Sequence, residues 1–551
     1  MTENSSTWQF VIADSLEKVF ADVDPRPMNP AIGFSVFLGE PASFQIAFRS
    51  PAGATGSVQV SIAEQARPFV RLSEVRNVPC AVVYHEEHDD HYLRTTPGDY
   101  PDLLLPLESP QVEVEGGTWQ AIWVDMAVEH IRDAGMRPIA FTIRDTATGR
   151  VLFEDTIVID VLPRALPALT VVNCHWLHAD AIADYYRVPV FSETHWLYLE
   201  RFIRSFTQMQ GNAVLTPVWT PPLDTAVGGY RTPVQLMDVR RDGGRYSFEF
   251  SKLLRWMEIC RREGVTYLEI SHLFSQWGAT KTPAIYATVD GEFKRIFGWD
   301  TSATDPAYAD FLEDMLPELL AVLEENWGLD KVFFHISDEP TKDQRTTYRA
   351  AREVVRHLLE GCTLIDAMSD IEFYEDGLVR VPVVANNHIL PFLDNKVDPL
   401  WTYYCVAQNL EVSNRFVSLP SARNRVIGHQ LFNFGIDGFL HWGFNFYNSQ
   451  NSTRHINPFE DTSAGGAFPS GDAFMVYPGK HGHPYPSIRY RVFADAMWDL
   501  RAMERLASLR GREAVKAIIN PHGTLAFDTF TYDPDFYRQA RETINREIMR
   551  A

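Results

Sequence analysis

Residues 331–361 read KVFFHISDEPTKDQRTTYRAAREVVRHLLEG. An apolar, strand-like run ends on two adjacent acids, Asp338 and Glu339, and a proline, and a helix-forming segment follows. The same order of strand, loop and helix recurs on both sides. LTVVNCHWLH precedes a helix at about 192–210, and NAVLTPVWT precedes FEFSKLLRWMEICRREG. In that second helix Phe250, Leu253, Leu254, Met257 and Cys260 fall at helical spacing, with Gly264 at the C-terminal cap. GVTYLEISHLF leads to a helix over about 305–327 that opens on Asp305-Pro306 and contains Pro317. After residue 361 come CTLIDAMSD, VPVVANNHI, LWTYYCVAQN and DGFLHWGFNFYN, and a long amphipathic helix at about 486–510 closes the series. Eight strand candidates alternating with helices over roughly 340 residues predict an α/β fold, a (β/α)8 TIM barrel.

Upstream the pattern is different. GFSVFLGEPASFQIAFRS and GSVQVSI alternate with period two, and RPIAFTIRDTATGRVLFEDTIVIDV reads as a hairpin turning at DTATGR. Helical periodicity is scarce before the proline-marked junction VLPRALPAL at 161–169. The expected organisation is an N-terminal β-sandwich over residues 1–165, a catalytic barrel over 166–515, and a C-terminal extension over 516–551 packing on the barrel.

Composition narrows the function. A net charge of −22, from 50 basic and 72 acidic side chains, disfavours nucleic acid and anionic membranes as partners. No apolar run has the length of a membrane span. The five cysteines are scattered and form no CxxC pair, so neither a disulfide framework nor a zinc site is indicated. MTENSSTWQF lacks the basic and apolar regions of a signal peptide, and a cytoplasmic setting is expected. No GxGxxG, Walker, HExxH or GxSxG motif occurs. The His/Asp-rich loop at 85–91, YHEEHDDHYL, has no regular ligand spacing and reads as a solvated acidic loop, with metal binding as the rival reading.

Barrels of this kind place chemistry at the C-terminal ends of their strands. Polar and aromatic residues stand there: His178, Trp219, His272, Asp338, Glu339, Asn387, His388, Trp442 and Asn445. Loops rich in Trp, Tyr and Phe suit the apolar faces of sugar rings. SDEP also makes a sound helix start, since acids favour the positive end of the helix dipole and proline fits the first turn. At a strand end, however, two neighbouring acids reach one pocket, and their repulsion raises one pKa. Most glycosidases straddle the scissile bond with two carboxylates about 5–10 Å apart, which sequence neighbours do not easily do. Adjacent acids suit substrate-assisted hydrolysis, in which the acetamido oxygen of a 2-acetamido sugar is the nucleophile. A second carboxylate at the fifth strand end, Asp366 or Asp370, would instead serve a sugar without that group. A non-catalytic sugar-binding protein is the remaining alternative.

HISDEP (335–340), WTYYCVAQN (401–409), RVIGHQLFNFGIDGFLHWGFNFYN (425–448) and VYPGKHGHPYPSIRYRVFADAM (476–497) together resemble glycoside hydrolase family 123. The resemblance runs from about residue 170 to 510 and is strongest from 331 onward. It implies a β-sandwich before a (β/α)8 barrel, and β-N-acetylgalactosaminidase activity without metal or cofactor. Carried over, Asp338 is the acetamide-assisting group and Glu339 the general acid/base. Tyr403 matches an aromatic position that bonds the acetamide carbonyl, and Trp442 the tryptophan that floors the sugar subsite. From their strand-end positions, and not from the resemblance, Trp219, His272 and Asn387 are the further expected carbohydrate contacts, with structural hydrogen bonding the rival reading for His272 and Asn387.

Overall fold

The computed structural model describes residues 7–551. By compactness the chain forms two units. One holds the chain up to Thr170 with Ser413–Asn433 and Tyr485–Ala551; the other holds Val171–Val412 and Phe434–Pro484.

The first unit is built on two five-stranded sheets. One runs Gln9–Asp14, Ala42–Arg49, Trp119–Met126, Val70–Cys80, Gly98–Pro106, with antiparallel neighbours throughout. The other runs Ser35–Leu38, Val151–Ala165, Gly135–Asp145, Ser57–Ile62, Gln111–Glu113, with a parallel pair at its start. Period-two alternation sends Phe44, Ile46 and Phe48 into the same core as Val58, Val60, Ile139, Phe141 and Ile143 of the other sheet. The reverse face of the first sheet is also covered. Trp123 and Leu104 share a core with Ile488, Val492 and Tyr537.

That cover departs from the expected spans. The helix Ile488–Arg510, read as the last of the barrel, and the helix Pro534–Arg550 both group with the first unit. Buried ion pairs explain the grouping. Arg489 pairs with Asp102 through two 2.9 Å bonds, and Arg541 joins Glu40 at 2.5 Å and Asp499 at 2.9 Å. The loop at 85–91 is held the same way, since Asp89 pairs with fully buried Arg423 at 2.7 Å. The acid is therefore a structural ion partner.

The second unit contains a closed parallel barrel of eight strands: Val172–His175, Ala213–Thr216, Tyr267–Ile270, Val332–Phe334, Thr363–Met368, Val381–Ala385, Trp401–Tyr403 and Gly438–His441. Each coincides with one of the eight apolar runs in the sequence. Alternate residues such as Cys174, Leu215, Phe333, Ile365, Val383, Trp401 and Leu440 fill the interior. Gly438 is required at the closure. A Cβ there would lie 2.1 Å from the Trp401 ring.

Full helices follow the first four strands: Glu193–Gln208, Ser251–Arg262, Pro306–Asn326 and Arg345–Val355. Asp305 caps the third by accepting from the Ala307 N–H at 2.9 Å. After the fifth and sixth strands only Glu372–Glu375 and Leu390–Asp394 are helical. A four-stranded sheet of two hairpins, Asp238–Asp242 with Arg245–Glu249 and Ile285–Val289 with Glu292–Phe297, is inserted in the loops after the second and third strands. Among the described residues no helix is long and apolar enough to cross a membrane.

Candidate active site

The fourth barrel strand stops at Phe334, and the chain beyond it is held from both sides. Leu273 and Phe274, after the third strand, donate to the carbonyls of His335 and Ile336 at 3.1 and 3.0 Å. The Ser337 hydroxyl donates to the Ser275 carbonyl at 2.8 Å, and the Trp277 N–H to the Asp338 carbonyl at 2.8 Å. Glu339 then takes φ +44°, a left-handed conformation that costs a non-glycine residue on the order of 1–3 kcal/mol. The turn has a direct consequence. In an extended strand neighbouring side chains point to opposite faces, whereas here Asp338 and Glu339 line one cavity.

That cavity has a volume of about 230 Å³. Trp176, Trp277, Trp442 and Phe468 supply its aromatic walls, Asp338, Glu339 and Asp224 its acids, and Gln276 and Gln450 its amides. The Tyr403 hydroxyl donates to Glu339 Oε1 at 2.6 Å. Gln276 Nε2 is 3.4 Å from Asp338 Oδ2. Trp442 is fixed by its indole N–H, which donates to Asp472 at 2.8 Å, and packs edge-on against Phe446 and Phe468.

Burial holds the Asp338 carboxyl well above the usual range, and the charge of Glu339 pushes it further while His335 opposes. Burial also raises Glu339, against the lowering effect of the Tyr403 hydrogen bond. Two acids that repel in one apolar site share a proton, and they titrate as a pair.

Beneath them lies a buried charged chain. His335, 1% exposed, has Nε2 2.5 Å from Glu269 and Nδ1 3.0 Å from Asp366. An imidazole placed between two carboxylates donates from both nitrogens only when protonated. Its pKa is accordingly raised to about 10, because the two carboxylates outweigh burial. Trp176 donates to Glu269 at 2.7 Å, Tyr348 donates to Asp366, and the Ile336 and Ser337 N–H groups point at Asp366 at 3.2–3.4 Å. His272, His335 and Asp366 offer ligand atoms within 4.8 Å of one another. The two rings nevertheless stack face to face at 4.1 Å, and His335, with both nitrogens donating to carboxylates, has no lone pair to offer an ion. The group is a relay that fixes the strand end.

A second buried network ties the cavity walls. Arg231 grips Asp180 at 2.7 and 2.8 Å, donates to His178 Nδ1 at 2.9 Å and reaches the Leu223 carbonyl at 3.3 Å. His178 Nε2 lies 2.8 Å from the Trp442 carbonyl. Burial and Arg231 lower His178 to about 3, so its ring is neutral, accepting at Nδ1 and donating at Nε2.

Of the residues singled out in the sequence, Asp338, Glu339, Tyr403 and Trp442 come together at the cavity. Trp219 does not line it. It is fully buried and donates to the His272 carbonyl at 2.9 Å. His272 is likewise buried, stacked on His335, with neither ring nitrogen hydrogen-bonded among the described residues. Asn387 is exposed, and its side chain accepts from Gln408 at 3.1 Å. Asp366 is consumed by the relay, and Asp370 is not part of the lining. Asp224, Gln276, Trp277 and Gln450 were missed. The signal available for Asp224 was an acid in the Pro/Gly-rich loop TPPLDTAVGG after the second strand.

Residues 176–506 match the family model for the catalytic domain of glycoside hydrolase 123, which is more than half of the chain. The chain belongs to glycoside hydrolase family 123. It is a glycoside hydrolase, and the four motifs quoted above lie within or across the matched region. A solved family 123 glycoside hydrolase from Clostridium perfringens, described in connection with glycolipid glycan hydrolysis, shares the fold at TM-score 0.73. It is 14% identical, with 98% of both chains covered. A mutant of β-glucuronidase 2 from Bacteroides uniformis (TM-score 0.32, 11% identity, 89% of this chain and 49% of that one) is more distant. So is a β-glucuronidase from Ruminococcus gnavus (TM-score 0.32, 11% identity, 89% and 68%). Scores so low carry no argument. Among curated protein sequences none matches significantly.

Proposed function

We propose that this family 123 enzyme is an exo-acting, retaining β-N-acetylhexosaminidase that removes terminal β-N-acetylgalactosamine, or a related 2-acetamido sugar, by substrate-assisted catalysis within a (β/α)8 barrel. The observation that carries the reading is the turn at Glu339, which brings two sequence-adjacent acids into one cavity. Its volume of about 230 Å³ suits a single sugar ring, which supports exo action.

In this reading the sugar lies on Trp442. The acetamide N–H donates to Asp338, and its carbonyl oxygen attacks C1 as the C1–O bond to the leaving group breaks. Glu339 gives its proton to the departing oxygen, and Asp338 stabilises the resulting oxazolinium ion. Water then enters. Glu339 takes its proton as the oxygen bonds to C1, the C1–acetamide bond opens, and two displacements at C1 leave its configuration retained.

The protonation states follow from the hydrogen bonds. Without sugar, Tyr403 donates to Glu339 and so favours its ionised form, leaving the shared proton on Asp338. An acetamide N–H on Asp338 favours the ionised form there. Its carbonyl draws the Tyr403 hydroxyl away from Glu339. Both changes move the proton to Glu339, where the chemistry requires it.

The non-acetamido alternative loses support, because Asp366 is held by His335, Tyr348 and two backbone N–H groups. The test is hydrolysis of an aryl β-N-acetylgalactosaminide beside its gluco and plain galacto counterparts, with Asp338→Asn and Glu339→Gln. Turnover confined to acetamido sugars and reduced about 10²–10⁴-fold in both variants is expected. Comparable cleavage of the plain galactoside would overturn the proposal.

A further inference from the structure

Asp224 is a third carboxylate in the cavity, and its position is built in detail. Its backbone N–H donates to Gln276 Oε1, the amide that also approaches Asp338. Its carbonyl accepts from the Ser452 hydroxyl at 2.7 Å, and Oδ2 accepts from the Asn451 N–H at 3.0 Å. The residue sits at φ +41°, a left-handed conformation that persists in a non-glycine residue where surrounding bonds over-determine it. Loops after the second, third and eighth strands thus converge to hold one acid. Oδ1 has no partner among the described residues. Burial lifts the Asp224 carboxyl to about 6.

The charge around it is one-sided. Among the described residues that line the cavity there are three acids and no Lys, Arg or His. Arg231, the cation that acts on Asp224 from behind the wall, is committed to Asp180.

We infer that Asp224 is a specificity-determining residue, whose free oxygen accepts a hydrogen bond from a hydroxyl of the terminal sugar and so makes the pocket select an uncharged ring and reject sulfated ones. This deepens the proposed function and rests on a sugar ring occupying this cavity. A site built to bond a hydroxyl discriminates strongly against an analogue that cannot make the bond. An anionic substituent would meet a cavity lined by three acids and no cation among the described residues.

The test compares wild type with Asp224→Asn, which tolerates the left-handed backbone, on 4-nitrophenyl β-N-acetylgalactosaminide, its 4-O- and 6-O-sulfates, and the plain galactoside. Ratios are taken on whichever uncharged glycoside wild type cleaves faster. A failure of the acetamido assignment therefore appears as a preference for the galactoside and leaves this test standing. The expected result is a fall of about 10–100-fold in kcat/KM on the uncharged substrate. Discrimination against at least one sulfate should narrow tenfold or more. Activity within twofold of wild type would overturn the inference, as would an equal loss on uncharged and sulfated substrates. A loss beyond about 10²-fold on every substrate would also overturn it, since general acid–base catalysis is worth about 10²–10⁴-fold. Asp224→Ser, judged by the same ratios, serves if the asparagine variant does not fold.

Discussion

Replacing Tyr403 with phenylalanine removes one oxygen and keeps the ring that packs in the barrel interior. The lost hydroxyl donates to Glu339 at 2.6 Å in a buried site. A hydrogen bond to a charged group is worth about 1.5–3 kcal/mol. At 1.36 kcal/mol per pH unit, losing it raises the pKa of Glu339 by about 1–2 units. The sign is fixed by which form is bonded: the hydroxyl stabilises the carboxylate, so its removal favours the protonated acid. In kcat/KM, which reports the free enzyme, the acid limb marks the ionisation of Glu339 beside the still-protonated Asp338. That limb should move upward by about 1–2 pH units in Tyr403→Phe. The bond handed to the acetamide is lost as well, so kcat/KM at the optimum should fall about 10–150-fold. The assay is initial-rate hydrolysis of an aryl β-N-acetylgalactosaminide from pH 4 to 10. An acid limb that stays in place or moves down, with kcat/KM within twofold of wild type, would refute the reasoning.

His335 sets a pH dependence of stability. Its pKa is raised to about 10 from an ordinary value of about 6.5. Its contribution is therefore complete below pH about 6.5 and is lost as pH rises through about 10. Urea midpoints of the wild type should decline across that window and decline less in His335→Asn; a flat wild-type curve contradicts the relay. Arg231→Met leaves Asp180 buried without its cation, an arrangement that costs about 3–5 kcal/mol. Denaturant unfolding should show that loss, together with a raised KM from the released Leu223 and Trp442 walls, and a variant as stable as wild type refutes the assignment.

Much of the barrel was legible because its strands are buried on both sides and read as short apolar runs, each followed by punctuation. The eight runs coincide with the eight strands. Asp305-Pro306 and Gly264 mark helix ends because capping is local chemistry. The inserted hairpins were written just as locally. Asp290-Gly291 and Gly243-Gly244 carry the paired positive φ values of tight hairpin turns, and that signal went unread. The assignment of Ile488–Arg510 was not legible. Its partners Asp102, Leu104 and Trp123 lie hundreds of residues away, and helical periodicity does not say which sheet a helix covers.

The site divides along the same line. Asp338 and Glu339 stood out by adjacency, Trp442 by its place at a strand end, and Tyr403 only through the family resemblance. Trp219 and His272 occupy equivalent positions but turn into the interior, because a strand end fixes a residue's height in the barrel and not its direction. Asp224 and Gln276 reach the cavity through long loops, where sequence distance carries no geometry.

The most direct test of substrate assistance is inhibition by the thiazoline analogue of N-acetylgalactosamine, which mimics the oxazolinium intermediate. Competitive inhibition at least about 10²-fold tighter than by N-acetylgalactosamine itself is predicted, with most of that advantage lost in Asp338→Asn. A thiazoline that binds no more tightly than the parent sugar would contradict the account.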